Sequence, residues 1–294
     1  MPDKQAYIGR FAPSPTGPLH FGSLYTALAS FLQARSKQGL WLLRIDDLDT
    51  PRNIKGAADN ILTTLETFGL HWDNHVAYQS QAVDIYHQVL DNLLKEQLIY
   101  PCTCSRKTLT TVYSGTCRNK QTLPQSPYSY RLKTDSRVIS FNDGLQGLTA
   151  YNLAEQGDFI LKRKDQFIAY QFAVVIDDNQ QQINHVVRGY DLLASTPRQI
   201  YLQHILGFDT PAYMHVPIII DKQGYKLSKQ TLATAVDIKK PNALIFELLT
   251  ALKQNPALEL KQASVNELLN WGIAHWNPEP LKNCREISPV KQAF

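Results

Sequence analysis

Residues 10–23 of the chain read RFAPSPTGPLHFGS, and this stretch decides the fold prediction. The residues that lead into it, 6–11, are β-prone, and apolar residues recur at helical spacing from Phe21 to Leu32. Prolines stiffen the loop, glycines let the backbone approach a ligand, and a helix beginning near His20 presents unpaired N–H groups and a positive dipole end. The stretch therefore predicts a strand, a stiff loop and an anion-binding helix N-terminus. A proline-rich loop with a surface histidine is the alternative.

The first hundred residues alternate between strand and helix patterns. Residues 40–45 (LWLLRI) form a nearly continuous apolar run, which is typical of a strand buried in a parallel sheet. Helical patterns flank it: one begins at Phe21 and ends before Gly39, and two more lie around residues 57–68 and 85–94. This order predicts an α/β fold with a Rossmann-like, doubly wound parallel sheet that binds ligands at the carboxyl ends of its strands.

The pattern divides the chain into four segments. Residues 1–99 form the first half of the sheet domain, residues 100–165 an insertion, residues 166–240 the second half, and residues 241–294 a short helical region. Within the second half we expect strands at 167–176, 183–187 and 216–220. We also expect a helix capped by Thr196, with Pro197 in its first turn.

Length and composition exclude several classes of protein. With 294 residues, 44% of them hydrophobic and 10% aromatic, the chain is an ordinary globular protein of roughly two domains. A net charge of +4 permits a polyanionic partner without requiring one. No apolar run approaches the ~18 to 20 residues of a membrane helix, and the N-terminus lacks the apolar core of a signal peptide. We therefore expect a cytoplasmic protein with no membrane partner.

A second candidate phosphate loop follows the last expected strand. Residues 226–230 read KLSKQ. Lys226, Ser228 and Lys229 would offer two ammonium groups and a hydroxyl to a polyphosphate. Taken alone, such a run is usually a solvated charged loop.

Together the two loops resemble the His-x-Gly and Lys-x-Ser-Lys signatures of class I aminoacyl-tRNA synthetases. Three motifs, residues 10–17 (RFAPSPTG), 44–49 (RIDDLD) and 187–189 (VRG), are similar to the glutamate-specific branch of that class. The longest of them is highly specific, and the resemblance covers nearly the whole chain. It implies an ATP-dependent ligase that activates L-glutamate as glutamyl-adenylate.

For ATP, the resemblance implies two catalytic residues, His20 and Lys229. The implied ATP-binding set is His20, Gly22, Lys226, Ser228 and Lys229. His20 and the helix after it would hold the α- and β-phosphates, and Lys229 would stabilise the charge on the leaving pyrophosphate. Mg²⁺ is expected with ATP, held largely by phosphates and water.

For glutamate, the resemblance implies a pocket of cationic clamps and one anion. Arg10 and Arg188 are expected to bind the side-chain carboxylate, Asp46 the ammonium group, and Tyr170 to close the pocket. The full implied set is Arg10, Phe11, Ala12, Pro13, Ser14, Asp46, Tyr170 and Arg188. Most of the family carries Glu where this chain has Asp46. The side chain is one methylene shorter, so the contact needs a closer backbone or a bridging water.

Three cysteines crowd together in the insertion. Cys102, Cys104 and Cys117 lie within sixteen positions, whereas Cys284 stands apart. This distribution suits a metal site in a reducing compartment, and Zn²⁺ takes four tetrahedral ligands, usually Cys or His. No histidine lies between Cys102 and Cys117, and the resemblance implies Tyr113 as the fourth ligand of a structural Zn²⁺. Three reduced cysteines without metal are the alternative.

The expected partners are ATP, L-glutamate and a tRNA. The chain ends where longer members continue into a helical anticodon-binding region. The resemblance then implies a shortened subfamily that attaches glutamate to the queuosine base in the anticodon of tRNA(Asp). A short synthetase that charges a tRNA 3′ end and a non-catalytic tRNA-binding module are the alternatives. Candidate phosphate contacts, in clusters that are usually just solvated, are Arg106, Lys107, Arg118, Lys120, Lys239 and Lys240.

Overall fold

The computed structural model describes residues 6–105, 112–120, 123–221, 224 and 235–288. The strands are β1 (Ile8–Phe11), β2 (Leu40–Ile45), β3 (Ala77–Tyr78), β4 (Ile99–Cys102), β5 (Ser129–Leu132), β6 (Val138–Asp143), β7 (Gly147–Asn152), β8 (Phe159–Lys162), β9 (His185–Gly189), β10 (Ala212–Val216), β11 (Ile218–Ile219) and β12 (Glu286–Ile287). The α-helices are α1 (Phe21–Ser36), α2 (Ala57–Thr67), α3 (Val83–Lys95), α4 (Tyr170–Gln180), α5 (Thr196–Leu206), α6 (Pro241–Ala251) and α7 (Val265–His275).

The predicted parallel sheet is confirmed. β1 pairs with β2, β2 with β3, and β9 with β10, all in parallel. The two parts adjoin at the start of β1, where the Asn184 backbone N–H donates to the Ile8 carbonyl at 3.1 Å and the Asn184 side chain accepts from the Ile8 N–H at 2.8 Å. The resulting order, β3-β2-β1-β9-β10, places the carboxyl ends of β1 and β9 side by side. Sheets of this kind bind ligands at that edge.

Two hydrophobic cores hold the helices on the sheet. In the first, α1 is buried along Leu24, Leu28 and Leu32, which are at most 1% exposed. The C-terminal helices α6 and α7 cover it, and Gly272 of α7 permits the close approach, because a Cβ there would lie 3.1 Å from the Leu32 and Leu249 side chains. The second core lies between α3, α4, α5 and the start of the insertion.

The expected insertion is antiparallel. β4, β5 and β8 form one sheet, and β6 and β7 form a hairpin. The hairpin contacts the parallel sheet, since the Gly144 N–H donates to the Tyr213 carbonyl at 2.9 Å. The end of β6 is therefore held beside β10.

The prediction of a strand at 167–176 is wrong. Residues 170–180 form α4, and every residue from Phe172 to Asp178 is buried. A helix buried on all sides has an unbroken apolar run, which periodicity cannot distinguish from a buried strand.

Two smaller expectations also need correction. Thr196 is the first residue of α5 and not its cap; the cap residue is Ser195, whose side chain makes no capping hydrogen bond. The strand expected at 216–220 is interrupted at Pro217, which has no N–H for a ladder. β10 ends before it, and β11 after it pairs in parallel with β12 of the C-terminal region, which is therefore not purely helical.

No helix in the described parts of the chain combines the length and the apolar character needed to cross a membrane. The KLSKQ loop, Arg106 and Lys107 lie outside the described residues.

Candidate active site

A cavity of about 310 Å³ opens at the carboxyl ends of β1 and β9. All the residues expected at the glutamate pocket line it, namely Arg10, Phe11, Ala12, Pro13, Ser14, Asp46, Tyr170 and Arg188. His20 and Gly22 from the expected ATP set line it as well. The fold thus gathers into one cavity residues that are separated by up to 178 positions in the sequence.

His20 is the N-cap of α1. Its backbone is extended and its Nδ1 accepts the Ser23 N–H at 3.3 Å. Because Nδ1 is the acceptor, a neutral His20 carries its ring proton on Nε2. The cap also directs the N-terminus of α1, with its positive dipole end, at the cavity that Gly22 and Ser23 line. This arrangement suits a phosphate group.

The residues that flank the KLSKQ segment lie at the same cavity. Before the segment, Ile218 and Ile219 line the cavity. After it, Ala235 forms a β-bridge with His20, and the Val236 N–H donates to the Leu19 carbonyl at 3.1 Å. Lys226, Ser228 and Lys229 lie outside the described residues, between these two flanks.

A network of buried charges lies behind the part of the cavity wall that Arg10 and Asp46 line. Arg10 donates through Nε and Nη2 to the two carboxylate oxygens of Asp178, each at 3.2 Å. Arg44 donates through Nε to Asp46 Oδ1 and through Nη1 to Asp178 Oδ1, both at 2.7 Å. Asp177 Oδ2 lies 3.6 Å from Arg44 Nε. Two guanidinium groups therefore share three carboxylates.

The carboxylates of this network titrate differently. Burial raises the pKa of Asp46 to about 6, although Arg44 opposes the shift. Burial also acts on Asp178, but Arg10 and Arg44 outweigh it and hold the pKa of that carboxyl below its usual range. Asp178 is thus ionised at neutral pH, and Asp46 is a cavity carboxyl that can lose its charge in mildly acidic solution.

Arg44, Asp177 and Asp178 are not among the site residues predicted from the sequence. A signal for them was present: Arg44 interrupts the apolar run LWLLRI, and the two aspartates end the run FAVVIDD. Charged residues in segments that read as buried are rarely tolerated unless they are paired. Asp178, however, lies 168 positions from Arg10 and 134 positions from Arg44, so these pairs could not be identified from the pattern.

Arg188 lines the cavity from the end of β9. Its Nε donates to His215 Nε2 at 3.0 Å, its Nη2 to Thr196 Oγ1 at 2.8 Å, and its Nη1 to the Tyr170 hydroxyl at 3.4 Å. Among the residues that the structure describes, no carboxylate pairs with Arg188. An unneutralised guanidinium at a cavity suits a ligand carboxylate.

The three clustered cysteines converge as predicted. Their sulfur atoms lie within 4.8 Å of one another, and Cys104 Sγ is 3.7 Å from Cys117 Sγ. The Tyr113 hydroxyl is 3.4 Å from Cys102 Sγ and accepts the Cys117 N–H at 2.8 Å. Two thiolates about 2.3 Å from a tetrahedral centre are about 3.8 Å apart, and a thiolate and a phenolic oxygen about 3.5 Å. The Cys104–Cys117 and Cys102–Tyr113 separations match a tetrahedral metal site, whereas the Tyr113 hydroxyl is farther, 4.0 Å, from Cys104 Sγ.

Comparison with known proteins identifies the family. The sequence model described as tRNA synthetases class I (E and Q), catalytic domain, matches residues 8–122 and 113–252. The chain belongs to the class I tRNA synthetases (E and Q). It is therefore an enzyme, a ligase of the aminoacyl-tRNA synthetase type.

Two curated relatives of this class I synthetase carry the same name. A protein of Neisseria meningitidis serogroup A named Glutamyl-Q tRNA(Asp) synthetase is 49% identical over 297 residues, which cover 96% of this chain and 100% of the relative. A protein of the same name from Pseudomonas aeruginosa is 45% identical and covers 96% of this chain and 97% of the relative.

A solved structure agrees with the fold of this synthetase. The glutamate tRNA ligase of Elizabethkingia meningosepticum, crystallised in complex with its amino acid, superposes with a TM-score of 0.81 at 26% identity. The match covers 97% of this chain and 67% of that chain. The α/β fold of class I synthetases is thereby confirmed.

Metal analysis tests whether the cysteine cluster of this synthetase binds a metal ion. We expect the purified protein to hold about one Zn²⁺ per chain, and Cys117→Ala to lose most of it and to melt at a lower temperature, because structural zinc contributes directly to folding. Tyr113→Phe should retain less metal than the wild type if the hydroxyl is a ligand. Cys284→Ala is the matched control, since this thiol donates to the Glu286 carbonyl outside the cluster. Equal zinc content in Cys117→Ala and wild type would refute the assignment.

Proposed function

We propose that this enzyme activates L-glutamate with ATP in the absence of tRNA and transfers the glutamate to the queuosine base of the tRNA(Asp) anticodon. The observation that carries the proposal is the single cavity, in which a helix N-terminus capped by His20 lies beside the two guanidinium groups of Arg10 and Arg188. The names of the curated relatives support queuosine-carrying tRNA(Asp) as the acceptor of the glutamate.

In this proposal the cavity orients a glutamate carboxylate toward the α-phosphate of ATP. His20 and the α1 N-terminus bind phosphate oxygens, and Lys229, with Lys226 and Ser228, stabilises the charge that develops on pyrophosphate. Mg²⁺, if bound, neutralises phosphate charge. Arg188 and Arg10 bind the substrate side-chain carboxylate, and Asp46 accepts from the α-ammonium group. Ser14 and Tyr170 contribute hydroxyls, and Phe11, Ala12 and Pro13 shape the pocket.

The acceptor is tested with labelled glutamate. We expect glutamate-dependent ATP–pyrophosphate exchange without tRNA, and labelling of tRNA(Asp) that carries queuosine. Removal of the 3′-terminal adenosine should leave the labelling intact, whereas tRNA(Asp) without queuosine should not be labelled. Digestion and mass spectrometry would locate the label. Labelling that requires the 3′ adenosine and ignores queuosine would establish a short synthetase for the 3′ end, and no exchange at all would refute the enzyme proposal.

The role of Asp46 predicts a pH dependence. Since its pKa is raised to about 6, the carboxylate that receives the ammonium group is ionised above that pH and is protonated below it. We expect the KM for glutamate to rise about tenfold between pH 7 and pH 5, at saturating ATP. Asp46→Asn should show a high KM at pH 7 and no further rise on acidification. A rise of equal size in the variant would assign the titration to another group.

A further inference from the structure

Arg188 is held by two buried residues that the proposed function does not use. His215, on β10, accepts from Arg188 through Nε2, and its Nδ1 lies 2.6 Å from Asp143 Oδ2 at the end of β6. The side chains of His215 and Asp143 are both 0% exposed. A chain of contacts thus connects the β6–β7 hairpin to the cavity.

The chemistry of these contacts determines where the protons lie. A guanidinium only donates, so His215 Nε2 must be the acceptor of the Arg188 Nε–H. His215 is therefore neutral, with its proton on Nδ1, and it donates that proton to the Asp143 carboxylate. Burial lowers the pKa of His215, which agrees with a neutral ring. In the opposite tautomer the His215 Nε2–H would face the Arg188 Nε–H, and neither could accept from the other.

We propose that Asp143 and His215 are positioning residues for the substrate side chain: they hold the His215 tautomer that fixes the Arg188 guanidinium with its outer edge toward the cavity. Thr196 takes a second N–H on the inner edge, and the Tyr170 hydroxyl takes one N–H of Nη1. One N–H of Nη1 and one of Nη2 remain for a carboxylate. This inference rests on the proposed function, because it names what selects the acidic side chain.

The two guanidinium groups in the pocket differ in how far nearby carboxylates neutralise them. The other guanidinium in the pocket, Arg10, donates through two nitrogens to Asp178 and is largely neutralised by it. The inner edge of Arg188 contacts a neutral imidazole and a hydroxyl, and the Asp143 carboxylate lies beyond the His215 ring, out of direct contact. A ligand carboxylate therefore gains more from Arg188 than from Arg10.

The geometry of Asp143 makes a near-isosteric test possible. Its Oδ1 accepts the backbone N–H groups of Leu145, Gln146 and His215 at 3.0, 2.9 and 3.2 Å. In Asp143→Asn the amide oxygen should keep these three bonds, so the NH₂ group replaces Oδ2 opposite His215 Nδ1. The His215 ring must then accept at Nδ1 and carry its proton on Nε2. That N–H faces the Arg188 Nε–H, which also needs an acceptor.

We expect Asp143→Asn to raise the KM for glutamate in ATP–pyrophosphate exchange about ten- to a hundredfold, with the KM for ATP nearly unchanged. ¹⁵N NMR of the histidine ring should show the switch from the Nδ1–H to the Nε2–H tautomer. In His215→Gln the amide oxygen can accept from Arg188, and a glutamine has no tautomer that Asp143 must select. Adding Asp143→Asn to this variant should therefore have little further effect on the KM for glutamate. The matched control is Asp158→Asn, another buried carboxylate that accepts a backbone N–H, from Thr134. It should leave the KM for glutamate unchanged.

Three outcomes would overturn the proposal: a switched tautomer with an unchanged KM for glutamate, an equal rise in both KM values, or the full effect of Asp143→Asn in the His215→Gln background. If Asp143→Asn does not fold, Thr196→Val removes the acceptor of the Arg188 Nη2–H, and an unchanged KM for glutamate in that variant overturns the proposal. Wild-type protein without exchange activity would instead refute the proposed function.

Discussion

Replacing Arg188 with alanine should raise the KM for glutamate about a hundredfold or more in ATP–pyrophosphate exchange. The substitution removes a charged, two-point contact with the substrate carboxylate. His215 Nε2 and Thr196 Oγ1 also lose Arg188 as their donor, but they lie 3.2 Å apart and can pair with each other. A hydrogen bond to a charged group contributes about 1.5–3 kcal/mol, and the substrate carboxylate loses two of them. Steady-state exchange kinetics with glutamate and ATP varied separately measure the effect.

The control for this prediction is Arg188→Lys. Lysine keeps the positive charge but not the planar fork, so it should recover only part of the affinity. The KM for ATP should change little in either variant. A wild-type KM for glutamate in Arg188→Ala would remove this arginine from the pocket.

Replacing Arg44 with methionine should lower the free energy of unfolding by about 3–5 kcal/mol, which is the usual cost of removing one partner from a buried ionic group. Arg44 is 1% exposed and lies against Asp46, Asp177 and Asp178. Without it, Arg10 alone faces three buried carboxylates. Urea unfolding followed by circular dichroism measures the change. The control is Arg137→Met, which breaks a more exposed ion pair with Asp135. It should leave the unfolding transition nearly unchanged.

The pH dependence of the Arg44 variant has a definite sign. Arg44 lowers the pKa values of Asp46, Asp177 and Asp178, so all three should rise in its absence. When the pKa of a carboxyl is higher in the folded than in the unfolded protein, the free energy of unfolding falls as the pH rises through that pKa. The deficit of Arg44→Met relative to wild type should therefore be largest near pH 8 and shrink toward pH 5. A deficit that grows on acidification would contradict this account.

Local chemistry made much of the site predictable. The loop at residues 10–23 reads as strand, turn and helix start because proline, glycine and apolar spacing act over a few positions. The clustering of Cys102, Cys104 and Cys117 followed from their spacing, and the family motifs named most of the residues that line the cavity. The prediction of a strand where α4 lies was wrong because it relied on the same local patterns. Total burial removes the periodicity that distinguishes a helix from a strand.

The sequence by itself determined the parallel α/β sheet, the capped helix N-terminus after β1 and the cysteine cluster, because each depends on residues close together in the chain. Only the tertiary structure decided that Asp178 holds Arg10, that Arg44 joins three carboxylates, and that Asp143 reaches Arg188 through His215. Apart from the pair of Arg44 and Asp46, which are two positions apart, these contacts join residues 27 to 168 positions apart. Hydrogen bonds and ion pairs act over a few ångströms of space, and a sequence pattern does not show which distant donors and acceptors the fold brings within that range.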